Sequence, residues 1–349
     1  MTDKSKVLFL VAGGSGGHIL PALQLGKDWK NAHPDGKILF FSSPSKLEKN
    51  ILKNNNFLYK TVYLKLDNMP GKKLWIYPKF FYLLFLTFVK SFYYLSKYRP
   101  IKIISTGGYI CVPISILSKI FKTKIDLYEL NYVPGKAIKA LQKFAENIFI
   151  VFDGTKRFFG AHDKKCITCG YPIRFTQHDR FYNKESILNK INFCKNKKTI
   201  FLLGGSKGSL YLNKLLKTWL TANKDIINKI QVIHQTGIND KTDWCSFYKD
   251  LQVPVIIFSY DQNIKDYYLI ADLVVSRAGA GTIFELEFFK KKSMIIPLET
   301  SYTDHQYDNA VNICKRNKDL FFIYQQKTIE KDFKNFNNKI LESLELNLQ

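Results

Sequence analysis

Two stretches of this chain repeat one arrangement, and the repetition restricts the fold more than any other feature. The apolar strand "VLFLVA" runs into Gly13, Gly14, Ser15, Gly16 and Gly17 and then into an apolar-periodic run. "TIFLLGGSKGSLYLNKLLKTWL" does the same with Gly204, Gly205 and Gly208. Strand-like and helix-like segments alternate around them: "KILFFSS", "IKIISTGG" before "VPISILSKIF", "KIDLYEL", "IFIVF", then "IQVIHQTG", "VPVIIFSY", "LIADLVVSRAGAGTIFELEFFKKK" and "SMIIPL". Alternation of this kind predicts α/β domains with parallel sheets built from βαβ units. A chain of 349 residues is long enough for two such cores. The expected domains are 1–172 and 173–328, joined near "CGYPIR", with 329–349 as a terminal helix returning to the N-terminal domain.

The balance of 53 Lys+Arg against 29 Asp+Glu, a formal charge of +24, points to an anionic partner: nucleic acid, an acidic membrane surface or a phosphorylated substrate. General compositional bias toward Lys, Asn, Ile, Phe and Tyr would produce the same charge. The basic residues are spread along the chain without a recognisable nucleic-acid module, so no nucleic-acid partner is expected. Six scattered cysteines and no signal peptide ahead of the first strand favour a reducing cytoplasm. Cys166 and Cys169 form one CxxC with no second pair for zinc, and it runs into Gly170 and Pro172 instead of opening a helix; it reads as structural.

One segment, 72–99, is dense in aromatic and aliphatic residues and bracketed by Lys72, Lys73, Lys97 and Arg99. Its apolar core, Phe80 to Val89, falls well short of the about 20 residues a spanning helix needs. Two readings stand, a helix lying in an anionic membrane interface or a domain helix buried on most sides, and both can hold for different faces.

The glycine turns carry the chemistry. A strand that hands over to a helix N-terminus leaves backbone N–H groups aimed outward, and glycines let a phosphate approach them. Neither "GGSGGH" nor "GGSKGS" matches the dinucleotide fingerprint or the P-loop, so each is weak alone. Two of them opening two halves suggest ligand held in a cleft between the carboxyl ends of two sheets. In "SRAGAGTIFELEFF", Thr282 and Glu285 have capping-box spacing; Glu285 either closes the first turn of its own helix or accepts hydrogen bonds from a ribose diol. "TSYTDHQYDNA" brings Asp304, His305, Gln306 and Asn309 to a strand end, to read sugar hydroxyls or simply to be solvated. His18, in the first turn of its helix, is a candidate general base; the competing account has it bonding its own loop or orienting phosphate.

In order along the chain, "AGGSGGH", "STGGY", "YELN", "GYPIR", "LLGGSKGS", "ADLVVSRAGAGTIFE" and "TDHQYDNA" resemble the motifs of the MurG family. That resemblance implies a GT-B fold, two Rossmann-like domains with parallel sheets facing across a cleft. The N-terminal half would bind acceptor and membrane, and the C-terminal half UDP-GlcNAc. The implied reaction is an inverting transfer of GlcNAc to the C4 hydroxyl of MurNAc in undecaprenyl-pyrophosphoryl-MurNAc-pentapeptide, lipid I to lipid II, for peptidoglycan at the cytoplasmic face of the plasma membrane. Carried over by position, Ser15, Gly16 and Gly17 approach donor sugar or acceptor diphosphate, with His18 catalytic. Asn131 and Arg174 contact the donor, Ser206 the UDP diphosphate, and the backbone near Asp261 the uracil. Ala280, Gly281, Thr282, Ile283, Phe284 and Glu285 line the nucleotide, with Glu285 on the ribose, and Gln306 reads GlcNAc hydroxyls. Tyr109 and Glu129 fall on the acceptor side. No Asp-x-Asp occurs in the chain, so no metal or other cofactor is expected, and helix N-terminal amides with Arg174 would meet the departing diphosphate. Two departures stand out: Ser15 replaces the usual threonine, and "YELN" replaces "HEQN", with Tyr128 and Leu130 in place of His and Gln. The alternatives are a related GT-B transferase acting on another lipid such as diacylglycerol, a non-catalytic basic nucleic-acid or membrane-binding protein, and a degenerate transferase kept as a scaffold.

Overall fold

The computed structural model describes residues 6–66, 69–71, 74–261, 263–299 and 305–346. The chain divides into two units, Met1–Arg174 and Phe175–Gln349. Lys72, Lys73 and Asp304 lie outside the described residues.

The first unit contains strands β1 (Val7–Ala12), β2 (Lys37–Ser42), β3 (Lys60–Tyr63), β4 (Lys102–Gly107), β5 (Lys124–Glu129), β6 (Asn147–Ile150) and β7 (Cys166–Thr168), interleaved with helices α1 (Gly16–Ala32), α2 (Lys46–Leu52), α3 (Tyr77–Tyr98), α4 (Cys111–Ile120) and α5 (Lys136–Leu141). Among the described residues they form a parallel sheet in the order β3-β2-β1-β4-β5-β6-β7. Helices cover both faces of such a sheet, so its central strands have to be apolar on both sides. All six residues of β1 are buried, which is why "VLFLVA" reads as a run and not an alternation.

The second unit begins with α6 (Lys184–Lys190) and continues through β8 (Lys198–Leu203), α7 (Leu210–Ala222), β9 (Ile230–Gln235), α8 (Trp244–Asp250), β10 (Val255–Phe258), α9 (Lys265–Ile270), β11 (Leu273–Ser276), α10 (Ala280–Phe288), β12 (Ser293–Ile295), α11 (His305–Cys314), β13 (Phe321–Ile323), α12 (Gln326–Lys331) and α13 (Phe333–Ser343). Its parallel sheet runs β10-β9-β8-β11-β12-β13. In each sheet the strand order reverses direction at one place, between β1 and β4 and between β8 and β11. Ligands of doubly wound sheets settle at that switch point, outside the carboxyl ends of the strands. Both glycine turns stand there.

The last helix packs within the second unit. Phe336, Ile340 and Leu341 of α13 are buried with Ile200, Leu202, Leu216 and Trp219 in the core of the second unit, and Asn223 Nδ2 donates to Asn337 Oδ1 at 2.9 Å. The apolar stripe of α13 thus packs in the core of its own unit.

Helix α3 carries its apolar residues inside out. It buries Leu83, Thr87, Ser91, Tyr94 and Leu95, while Phe81, Tyr82, Phe85, Leu86, Val89, Phe92 and Tyr93 are exposed, joined by Trp75 just before the helix. Thr87 Oγ1 donates to the Leu83 carbonyl at 2.8 Å, which lets a polar residue sit on the buried stripe. One face of the helix is therefore buried and the richer aromatic face is open. Among the described residues, no helix is long and apolar enough to cross a membrane.

Candidate active site

The first turn meets the turn after β4 at a backbone approach that only glycine allows. Ser15 caps α1 in an extended conformation without a side-chain cap bond, so the early amides of α1, at Gly16 and Gly17, have no intrahelical acceptor. Beside it, the turn after β4 holds Gly107 and Gly108 at φ of +112° and +93°. A Cβ on Gly108 would lie 2.6 Å from the Gly13 carbonyl oxygen, and one on Gly107 would crowd the His18 ring at 3.2–3.3 Å. "STGGY" thus makes room for the first turn and for the imidazole. Thr106 Oγ1 donates to the His18 carbonyl at 2.8 Å, tying the two turns together.

His18 is half-buried, and its Nδ1 is buried with no well-formed hydrogen bond. Burial depresses its proton affinity below the usual imidazole value; the adjoining Thr106 backbone and the Glu48 charge only partly offset this. The ring is therefore neutral at pH 7, the state a general base requires. Tyr109 is exposed on the adjoining turn.

The loop after β5 is organised by Glu129. Its Oε1 accepts from the Asn131 N–H at 2.9 Å and Asn131 Nδ2 at 3.2 Å, and its Oε2 from the Gly135 N–H at 2.8 Å. It is 2% exposed, and burial outweighs these bonds enough to push it up to about 7. Both oxygens of Glu129 are engaged by its own loop, which holds Asn131 in place. The departures beside it are absorbed by packing. Leu130 is buried, and Tyr128 stacks on Phe149 at 4.5 Å between centroids. Arg174 is half-buried as the last residue of its unit.

In the second unit the β8–α7 turn places Ser206, half-buried, three residues before Ser209, which caps α7 by accepting from the Leu212 N–H at 3.3 Å. A Cβ on Gly208 would fall 2.4 Å from Gly237 Cα, so the turn is pressed against the end of β9. A buried network holds that contact. Asn213 Nδ2 donates to the Thr236 carbonyl (2.8 Å) and to Asp240 Oδ2 (2.6 Å), leaving its Oδ1 as acceptor for His234 Nε2 at 3.1 Å. The Tyr248 hydroxyl then meets His234 Nδ1 at 3.0 Å. Desolvation takes His234 down to about 4, so it is a neutral strut at physiological pH.

Arg277, at the end of β11, was not singled out in the sequence, and it sits beneath the same turn. It is 6% exposed; Nε donates to Ser209 Oγ at 3.1 Å, Nη1 to the carbonyls of Ile296 and Pro297, and Nη2 to Gln326 Oε1. These acceptors are all neutral. Burial lowers the guanidinium only to about 10, so a full positive charge stands behind the α7 N-terminus, where it reinforces the helix dipole's attraction for an anion. A lone arginine before a glycine turn carries no sequence signal that separates it from a surface cation.

The third turn hands over to its helix three residues earlier than the capping-box reading requires. Gly279 is the N-cap of α10, so Thr282 already lies inside the helix and forms no box with Glu285. Glu285 instead accepts from the buried Tyr268 hydroxyl at 2.8 Å and is 9% exposed. Ile283 and Phe284 send their side chains into the core, so only their backbone can line a ligand; Ala280 is also buried, and Gly281 and Thr282 are half-buried. Gln306 Oε1 accepts from the Ala278 N–H (3.2 Å) and the Leu298 N–H (3.0 Å), linking the ends of β11 and β12. Asp261 Oδ1 accepts from the Asn263 N–H at 2.7 Å, shaping the loop after β10.

Every selected position apart from Arg174 thus falls at a carboxyl strand edge or in the helix turn that follows it: Ser15 to His18, Tyr109, Glu129 and Asn131 in the first unit, and Ser206, Asp261, Ala280 to Glu285 and Gln306 in the second. Among the described residues, no group of three or more His, Cys, Asp or Glu side chains could hold a metal ion.

Residues 8–150 match the glycosyltransferase family 28 N-terminal domain and residues 199–347 its C-terminal domain. A transferase of Thermosipho africanus is 32% identical over 337 residues, covering 95% of this chain and 90% of its own. A second, from Finegoldia magna, is 30% identical over 308 residues, covering 87% and 81%. Both are named UDP-N-acetylglucosamine--N-acetylmuramyl-(pentapeptide) pyrophosphoryl-undecaprenol N-acetylglucosamine transferase. The crystal structure of Acinetobacter baumannii MurG superposes with a TM-score of 0.67 at 19% identity, covering 98% of this chain and 92% of its own, which establishes the shared GT-B fold. Sequence relationship, domain content and fold agree: the chain belongs to the MurG family.

Proposed function

We infer that this chain transfers GlcNAc from UDP-GlcNAc to the C4 hydroxyl of the MurNAc residue of undecaprenyl-pyrophosphoryl-MurNAc-pentapeptide, with inversion from an α to a β bond. The observation that carries the mechanism is the pairing of a neutral, half-buried His18 with the unpaired amides of a glycine turn at a switch point. His18 takes the proton of the attacking hydroxyl while that oxygen bonds the anomeric carbon. The bond from that carbon to the diphosphate breaks, and its electron pair leaves with UDP. The growing negative charge is met by the amides of the β8–α7 turn, the Ser206 hydroxyl, the positive end of α7 and Arg174, with buried Arg277 adding its field. Glu285 accepts from the ribose diol and Gln306 addresses the GlcNAc hydroxyls. No step calls on a metal or a second cofactor.

The enzyme works from the cytoplasmic face of the membrane, held peripherally by the open aromatic face of α3 with Lys90, Lys97 and Arg99 around it. All three basic residues are exposed, and Lys97 lies over Tyr93. An interfacial helix of this composition buries its aromatics among acyl chains and meets anionic headgroups with its cations.

The deciding experiment is His18→Ala. Loss of a general base lowers kcat by ~100-fold or more with UDP affinity little changed. Near-normal turnover in that variant would remove the base role.

A further inference from the structure

Glu48 is a buried carboxylate that the mechanism leaves unused. Ser45 and Glu48 have the spacing of a capping box, and Ser45 does cap α2, accepting from the Glu48 N–H at 3.3 Å. In a closed box the glutamate would reach back to the cap's own N–H. Here it turns away from its helix. Glu48 Oε1 accepts from the Gly14 N–H at 3.1 Å and from the Ser43 hydroxyl, and Oε2 accepts from the Ser43 N–H at 2.8 Å and from the Ser42 hydroxyl. At 2% exposure, with four donors converging on two oxygens, this is a built site and not a stray contact.

What it holds is the bend of the first turn. Gly14 is at φ +91°, and its N–H lies one residue before Ser15, the N-cap of α1. A Cβ on Gly13 would lie 3.6 Å from Glu48 Oε2, so the carboxylate is pressed against the turn along two successive residues. Four residues after Gly14 comes His18, in the first turn of α1, with the Gly16 and Gly17 amides between them.

We propose that Glu48 is a positioning residue for the transfer reaction: by fixing the Gly14 amide it sets the direction in which the amides of Gly16 and Gly17 and the imidazole of His18 meet the acceptor. This rests on the reading of His18 as the base. Small displacements of a reacting group are costly, because rate depends on reacting atoms being aligned before reaction. Glutamine at this place keeps the shape but presents an amide donor to a set of donors, so the turn loses its anchor.

The test uses the full chain with UDP-GlcNAc and a lipid I acceptor. Glu48→Gln lowers kcat by ~10- to 100-fold while UDP affinity and donor KM stay within about twofold, since the donor turns belong to the other unit. Ser45→Ala loosens the same helix without touching the turn, and its kcat stays within about twofold of the parent. If Glu48→Gln does not fold, Ser43→Ala removes a donor from the oxygen that holds Gly14 and lowers kcat at least ~3-fold. Unchanged kcat in the Glu48 or Ser43 variant, or an equal loss in Ser45→Ala, overturns the proposal. His18→Ala separates the two readings: turnover retained there while Glu48→Gln loses it removes the base assignment and leaves turn positioning intact.

Discussion

At the scale of single residues, the first turn illustrates how a neighbour without a side chain tunes one that has it. Gly107 lets the His18 ring settle against backbone, and that settling strips water from the imidazole and disfavours its charged form. The sign is definite. The proposed base role requires a neutral imidazole, and burial keeps it neutral to lower pH than the free side chain at 6.5. The acid limb of kcat/KM against pH therefore falls below 6.5, and activity is lost only as pH drops through that lowered value. A limb above 6.5 in the parent enzyme would contradict the burial argument. The opposite shift at Glu129, up to about 7, has the same cause acting on an acid whose oxygens bond its own loop, so a perturbed group is not by that fact catalytic.

At the scale of elements, α3 is the helix whose pattern is hardest to reconcile with burial in one domain. Its buried stripe holds Thr87 and Ser91 while seven large apolar residues face out, the reverse of a helix selected for its own domain alone. Burying a large apolar side chain contributes about 1.5–3 kcal/mol, and each basic residue near an anionic surface roughly 1 kcal/mol more, so partial insertion of this face reaches several kcal/mol. Replacing Phe81 and Phe85 together by glutamate is expected to weaken binding to vesicles containing anionic lipid by ~10-fold or more, because two large apolar groups are exchanged for charges of the repelled sign. Turnover of a water-soluble acceptor should be unaffected. Equal co-sedimentation of parent and variant would dismiss this face as the docking surface.

At the scale of the whole molecule, two sheets of like topology each present a glycine turn at a switch point, and the proposed reaction assigns the base to one and the donor turns to the other. UDP alone should therefore slow amide hydrogen exchange in the second unit, chiefly at 204–209 and 277–285, and leave the His18 turn little changed. Protection concentrated at residues 13–18 would reverse the assignment of the halves. Much of this plan was legible in the linear chain, because strand and helix periodicity and glycine at tight turns are local requirements that leave local marks. The α/β class, the repeated strand-turn-helix openings and the turns themselves follow from "VLFLVAGGSGGH" and "TIFLLGGSKGS" with no knowledge of what packs on them. The strand order that puts those turns at switch points is a matter of tertiary structure, as is the return of α13 to its own unit, since pairing partners and packing faces are chosen between segments distant in sequence. The same holds for Glu48, whose capping-box spacing predicts a bond within its helix, and for Arg277 under the β8–α7 turn. A carboxylate or guanidinium reveals its task only when the fold shows which buried donors and acceptors it must satisfy.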